Sequence, residues 1–159
     1  MVSNKTMVLS NTITITVTAR ISVTLTSLSN NPKLGSDVKL KVVVTNMTDH
    51  QMWLGRAPKN EQGEFLNRIE VRGENMDMPD KTRYYQMLAG IPLGEVAETS
   101  MWAEAGFVAK PGESVSEGVS LSKLFKFTQP GKYMIQAVRQ DSETKTLVKS
   151  NIVSVTVKP

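Results

Sequence analysis

"NTITITVTARISVTLTSL", residues 11–28, decides how this chain is read. Its apolar residues fall on odd numbers without a break: Ile13, Ile15, Val17, Ala19, Ile21, Val23 and Leu25. The even positions carry Thr12, Thr14, Thr16, Thr18, Arg20, Ser22, Thr24 and Thr26. Alternation of β-branched with hydroxyl-bearing residues at period 2 is the pattern of a half-buried strand. A strand from Thr12 to Thr26 would run about 50 Å at about 3.4 Å per residue, whereas an ordinary strand has about five or six residues. The surplus asks for a second use of part of the segment.

Working outward, "SNNPKLGSD" (29–37) is a turn cluster, and "VKLKVVVTN" then sets Val38, Leu40, Val42 and Val44 against Lys39 and Lys41. "FLNRIEVRG" places Phe65, Ile69 and Val71 on one face. "SVSEGVSL" (114–121) reads as a strand, "SKLFKF" as a turn or single helical turn, and "PGKYMIQAV" (130–138) as turn and strand. The last strand lies within "KTLVKSNIVSVTVKP" (145–159), where Val153, Val155 and Val157 alternate with Ser154, Thr156 and Lys158. No stretch is convincingly an amphipathic helix. The expected fold is all-β: an immunoglobulin-like antiparallel sandwich of seven to nine strands with an extra strand at the N-terminus. Tyr133 follows a Pro-Gly turn at the start of the next-to-last strand. That is the place of a tyrosine corner, although a plain core aromatic fits the position equally.

"KTMVLSNTITITVTA" (5–19) aligns without gaps on residues 145–159 at an offset of 140. Seven pairs coincide: Lys5/Lys145, Thr6/Thr146, Val8/Val148, Ser10/Ser150, Asn11/Asn151, Thr16/Thr156 and Val17/Val157. Residues 1–19 then duplicate the C-terminal strand, as linker or donor, and residues 20–159 form the domain proper. An unpaired strand edge recruits partners. Burying Ile13, Ile15 and Val17 in another sandwich would contribute about 1.5–3 kcal/mol each. Such strand addition is a known mode of recognition, and head-to-tail addition that does not close makes a filament. The alternatives are pairing elsewhere in a neighbouring unit, or folding back as an extra edge strand.

Composition narrows the chemistry. The 159 residues suit one domain, and 40% hydrophobic content supports a core. The net charge of +4 comes from scattered Lys and Arg, which argues against a nucleic-acid surface. There is no cysteine and a single histidine, His50, so disulfides, thiol chemistry and Cys/His zinc sites are excluded. His50 reads as a solvated loop residue that Asp49 could orient. Glu74, Asp77 and Asp80 lack the spacing of a cation loop and read as a solvated turn. No catalytic residue, metal site or cofactor is expected. No segment is apolar enough to span a membrane, and the start of the chain has no apolar stretch of signal-peptide type. "NKT" at Asn4 and "NMT" at Asn46 match the N-glycosylation pattern, one that arises often by chance.

Residues 74–113 form a long irregular insertion holding Tyr84, Tyr85, Met87, Leu88, Ile91, Leu93, Met101 and Trp102. These residues either cap one end of the core or present an apolar patch to a partner. Tyr84, Tyr85, Met87, Leu88 and Trp102 are the candidate partner-binding loop.

The motifs "KPGES", "VSLSKLF" and "PGKY", followed by a closing Val/Thr strand over 107–157, carry a resemblance. This third of the chain resembles immunoglobulin-like modules of uncharacterised bacterial exported proteins. It is similar to the β-sandwich module preceding the catalytic domain of some secreted deuterolysin-like metallopeptidases, whose His-Glu-x-x-His sequence is absent here. It is more weakly similar to the intracellular proteinase inhibitor of bacilli. The resemblance implies a non-catalytic module at the cell surface or outside the cell, whose partner is protein: a second copy or a neighbouring domain. A protein-binding or proteinase-inhibitor domain presenting residues 74–113 is the alternative.

Overall fold

The computed structural model describes residues 18–54, 67–74, 78–88 and 107–159. In chain order the elements are β1 (Ile21–Ser27), β2 (Lys39–Asn46), β3 (Met52–Trp53), β4 (Asn67–Gly73), β5 (Asp80–Lys81), α1 (Arg83–Leu88), β6 (Val108–Ala109), β7 (Ser114–Ser120), α2 (Leu121–Leu124), β8 (Phe125–Lys126), β9 (Gly131–Gln140) and β10 (Leu147–Val157). The chain is all-β, and the named strands pair antiparallel throughout.

Two three-stranded sheets carry the fold, one in the order β1-β2-β7 and the other β10-β9-β4. Period 2 gives each strand one apolar face. Ile21, Val23 and Leu25 of β1 join Leu40, Val42 and Val44 of β2. They share a single core with Ile69 and Val71 of β4, Tyr133, Ile135 and Ala137 of β9, and Val155 and Val157 of β10. Each fully buried aliphatic side chain contributes about 1.5–3 kcal/mol relative to exposure. The other face of the first sheet carries Ser22, Thr24, Thr26, Lys39, Lys41, Thr45, Ser114 and Ser116, none of them buried.

β9 departs from simple alternation. Ala137, Val138 and Arg139 are buried in succession, so the sheet is covered on both faces there. Burial lowers the Arg139 pKa, and the charge of Glu117 on β7 works against that effect.

β1 and β10 run in the same direction along the edge of the molecule. Arg20 lies against Asp141 ahead of β10, Leu25 against Asn151, and the 32–34 loop against Lys158. Lys33 and Lys158 form a parallel bridge. Residues 20 and 158 therefore lie at opposite ends of the strands.

The described residues 78–88 of the insertion hold β5 and α1. Thr82 caps α1: its hydroxyl accepts from Tyr85 N at 3.2 Å and its carbonyl from Gln86 N at 3.1 Å. The cap is tied to α2, because Thr82 N donates to Leu124 O and the Thr82 hydroxyl to Lys123 O. Tyr85 is buried, its ring tilted by 52° against that of Phe125 with 5.3 Å between centroids.

Tyr133 is a core residue whose ring meets Phe127 edge-on at 4.8 Å. Its hydroxyl donates to Gln129 O at 2.7 Å, across the Pro-Gly turn. One side chain thus holds both the apolar and the hydrogen-bonding role. Tyr133→Phe keeps the ring and removes the bond, so a stability loss of about 1 kcal/mol is expected in urea. An unchanged midpoint would show that the hydroxyl contributes nothing.

Candidate functional site: the seam between β1 and β10

The two sheets meet along β1 and β10 through side chains rather than a continuous ladder. The pairing of β10 with β9 is interrupted between Lys149 and Ile152. At this bulge the buried Ser150 accepts Ala137 N at 2.9 Å and donates its own proton to Asn151 O at 2.7 Å. Gln136 Nε2 donates to Ser150 O at 2.7 Å. The bulge turns Asn151 toward β1. Its Oδ1 accepts Leu25 N at 2.9 Å and its Nδ2 donates to Leu25 O at 2.9 Å. The side-chain amide thereby acts as a surrogate peptide group for the β1 edge. Beyond it, Lys158 N donates to Pro32 O at 2.8 Å, and Leu34 N donates to Lys158 O at 2.7 Å.

At the other end, the turn between β9 and β10 holds the approach to β1. Asp141 is fully buried. Its Oδ2 accepts Arg20 N at 2.8 Å, and its Oδ1 accepts Glu143 N and Thr144 N at 2.9 and 3.1 Å. Burial raises its pKa, but these backbone donors outweigh it and hold the carboxyl below its ordinary value. On the surface, Glu143 accepts Arg20 Nη1 at 2.7 Å and meets His50 Nε2 at 2.9 Å. His50 Nδ1 lies 3.0 Å from Asp49. Both ring nitrogens are engaged by carboxylates, so His50 serves here as a strut between two loops.

The hydrogen bond to Glu143, then that to Asp49, raises the His50 pKa above its ordinary 6.5. The same His50 bonds lower Asp49 and Glu143 below 3.8 and 4.5. A raised cation stabilises below its unfolded value and loses that contribution as pH rises through the folded one; depressed carboxylates lose theirs on acidification. The strut is therefore strongest between about pH 4.5 and 6.5. The chain has one histidine and no cysteine, so a fall in the urea midpoint from pH 6 to 8 should be flattened by His50→Gln. An unaltered slope in that variant would sink the assignment. Added salt should weaken the effect, because the groups are exposed.

The residues singled out from the sequence fare differently. Ile13, Ile15 and Val17 lie outside the described residues, as do Asp77 and Trp102. Tyr85 is in the core, where its ring packs on Phe125, as the core-capping alternative for the insertion has it. Tyr84 is partly buried against the same core. Met87 and Leu88 close α1, and their side chains are outside the described set. Asn46 is 0% exposed, and its Nδ2 is held by His50 O and Ala109 O. That removes it as a glycan acceptor in the folded chain. Glu74 pairs with Lys132 at 3.2 Å and Asp80 starts β5. Among the described residues no three His, Cys, Asp or Glu side chains form a metal site.

No protein-family model and no curated protein matches this sequence.

Sequence reasoning did not find Asn151, Asp141 or Glu143. Asn151 had no clear signal: apolar residues of β10 fall on both phases, Leu147 beside Val148 and Ile152 beside Val153, and only their burial in the fold separates the inward set. Glu143 had none, since it meets His50 across 93 residues of chain.

Proposed function

We propose that this chain is a non-catalytic, immunoglobulin-like structural or adhesive module of a tandem or self-assembling bacterial surface protein, joined to its neighbour by strand addition through residues 5–19. One observation carries the reading. In β10 the residues set into or packed against the buried side are Val148, Ser150, Val153, Val155 and Val157. At an offset of 140 they become Val8, Ser10, Ile13, Ile15 and Val17: three identities and two Val/Ile exchanges. The changes of polarity, Lys149/Leu9 and Ile152/Thr12, fall on exposed positions. Of the seven identities, Val8/Val148, Ser10/Ser150 and Val17/Val157 fall on that side and the other four on exposed positions.

The phase also leaves only Thr18, Ala19 and Arg20 between the copied strand and β1. The last strand of one unit would thus feed the first of the next through three residues. The pairing order supports the immunoglobulin-like part: β1, β2 and β7 correspond to strands A, B and E, and β4, β9 and β10 to C, F and G.

The test is the solution mass by light scattering, with electron microscopy, of the full chain and of a chain lacking residues 1–18. Dimers or fibres of the full chain that vanish on truncation support assembly by strand addition. Monomers of equal stability in both cases would overturn self-assembly and leave the tandem arrangement. A monomer destabilised by truncation means that the segment folds back on its own domain.

A second reading has one observation of its own. Trp53 is 41% exposed on β3, and Phe107 and Val108 lie exposed at the end of the insertion that pairs with it. A protein-binding or inhibitor domain would use that patch. It predicts a monomer whose capture of a partner is lost on Trp53→Ala.

A further inference from the structure

The two three-stranded sheets end in four edge strands: β1 and β7 in one, β10 and β4 in the other. β1 and β10 close on each other at the seam, through Asn151 and the 32–34 loop. The remaining two differ. On β7, Glu117 stands opposite the buried Val42, so its charge is on the inward face, and the outer row is the uncharged Ser114, Ser116 and Gly118. An inward charge blunts an edge against pairing. β4 has no such device. It runs against β9 without a bulge or a proline, and its inward residues Ile69 and Val71 are buried in the core. Glu74 N donates to Lys132 O, so the even-numbered residues of β4 spend their backbone groups on β9. The N–H and C=O groups of Ile69, Val71 and Gly73 therefore point to the open side, where no strand stands among the described residues.

The even positions also carry charge. Arg68, Glu70, Arg72 and Glu74 alternate in sign along the outer face of this edge. Glu70 is met by Arg68 at 2.7 Å and by Lys149 at 3.9 Å, and Glu74 by Lys132 at 3.2 Å, whereas Arg72 has no ion pair among the described residues. A row of four alternating charges is complementary to itself when reversed. We propose that β4 is the contact strand of a two-fold dimer, in which β4 pairs antiparallel with β4 of a second copy about Val71. In that register Arg68 stands opposite the partner's Glu74 and Glu70 opposite the partner's Arg72, each pair occurring twice. Ile69 exchanges backbone bonds with the partner's Gly73, and Val71 with the partner's Val71. The charged pairs are then the non-hydrogen-bonded ones, whose side chains approach most closely. Sliding by two residues is the smallest shift that keeps the faces. One way it sets Glu70 on the partner's Glu70 and Arg68 on the partner's Arg72; the other way it sets Arg72 on the partner's Arg72 and Glu70 on the partner's Glu74. The charge row thus fixes the register. The contact is isologous and closed, and it makes one sheet continuous across both chains. It uses no residue of 1–19 and lies at the edge of its sheet away from the seam, so it stands or falls separately from strand addition.

The experiment is sedimentation of the full chain at rising concentration, with hydrogen exchange read at the Val71 amide. The expected result is a mass that climbs toward twice that of the chain while exchange at Val71 slows. Arg72→Glu and Glu70→Arg each set like charges opposite one another at two places, and each variant alone should associate at least about tenfold more weakly. Mixed in equal amounts, the two variants regain all four opposite pairs and should associate as the parent does. A urea transition for each variant shows that it is folded; where one is not, the concentration dependence of Val71 exchange in the parent decides. A parent that stays monomeric at every concentration, or a mass that rises without slowing exchange at Val71, overturns the inference. So does a mixture that stays monomeric while both variants are folded. Assembly that both variants keep and that deletion of residues 1–18 abolishes overturns it too, and leaves strand addition as the mode. Dimers that survive that deletion and fail in each variant support this pairing and overturn strand addition.

Discussion

Asp141→Ala is expected to lower stability by about 3–4 kcal/mol, the larger of the two effects argued here. The carboxylate is fully buried at the turn between β9 and β10 and is anchored by the backbone donors Arg20 N, Glu143 N and Thr144 N, with the Thr144 side chain beside them. Hydrogen bonds to a charged acceptor contribute about 1.5–3 kcal/mol each in isolation, less when they share one acceptor. Removing it strands donors that the fold has already turned away from water. Asp141→Asn keeps the shape and one acceptor oxygen and should fall between the parent and the alanine variant. The measurement is the urea midpoint near neutral pH, with exchange of the Arg20 amide as the local readout. A loss below about 1 kcal/mol would mean that the turn is held by its own backbone bonds, Asp141 N to Thr146 O and Lys145 N to Asp141 O. Because the folded-state pKa is depressed, the parent should lose this contribution as pH falls below the ordinary carboxylate value, and the alanine variant should not.

Asn151→Ala should cost about 1.5 kcal/mol. Two bonds to Leu25 disappear, and the Leu25 backbone is left facing a residue that can neither donate nor accept. The side chain of Asn151 is exposed, so water replaces part of the loss and the effect stays below that at Asp141. Asn151→Asp separates geometry from chemistry: it keeps the acceptor for Leu25 N but sets a carboxylate oxygen against Leu25 O. It should destabilise at least as much as alanine near pH 7. Equal stability of all three chains would show that β1 is held by the core and its ladder to β2, without the Asn151 amide.

Much of the fold is legible because the core is built by alternation. Ile21, Val23 and Leu25 fall on one face, as do Val38, Leu40, Val42 and Val44, and all of them are buried. The all-β class follows from that pattern. Three features escaped it, each for a physical reason. Helix α1 is six residues long and too short for a 3.6-residue period to show. Its sequence signal is the cap, Thr82, rather than its faces. Consecutive burial at Ala137, Val138 and Arg139 comes from cover on both sides of β9, which a one-sided pattern cannot report. The contacts of His50 with Glu143 and of Asp141 with Arg20 join parts of the chain 93 and 121 residues apart, and only the completed fold brings them together. At the seam the residue types were visible in the repeat, whereas their task was not. Ser and Asn read there as shared letters until the bulge gives them donors and acceptors.

The parallel course of β1 and β10 bears on how the molecule would carry load. Tension applied between residues 20 and 158 pulls along the strands, so the bonds from Asn151 to Leu25 and from Lys158 to Pro32 and Leu34 are sheared together rather than peeled one by one. Loading in shear makes the contacts yield as a group, which raises the force needed for rupture without any change in equilibrium stability. Pulled from those two points in a single-molecule experiment, the domain should break at a higher force than when pulled across the sheet, and Asn151→Ala should narrow the difference. Equal rupture forces in the two directions would remove the seam as the mechanical element.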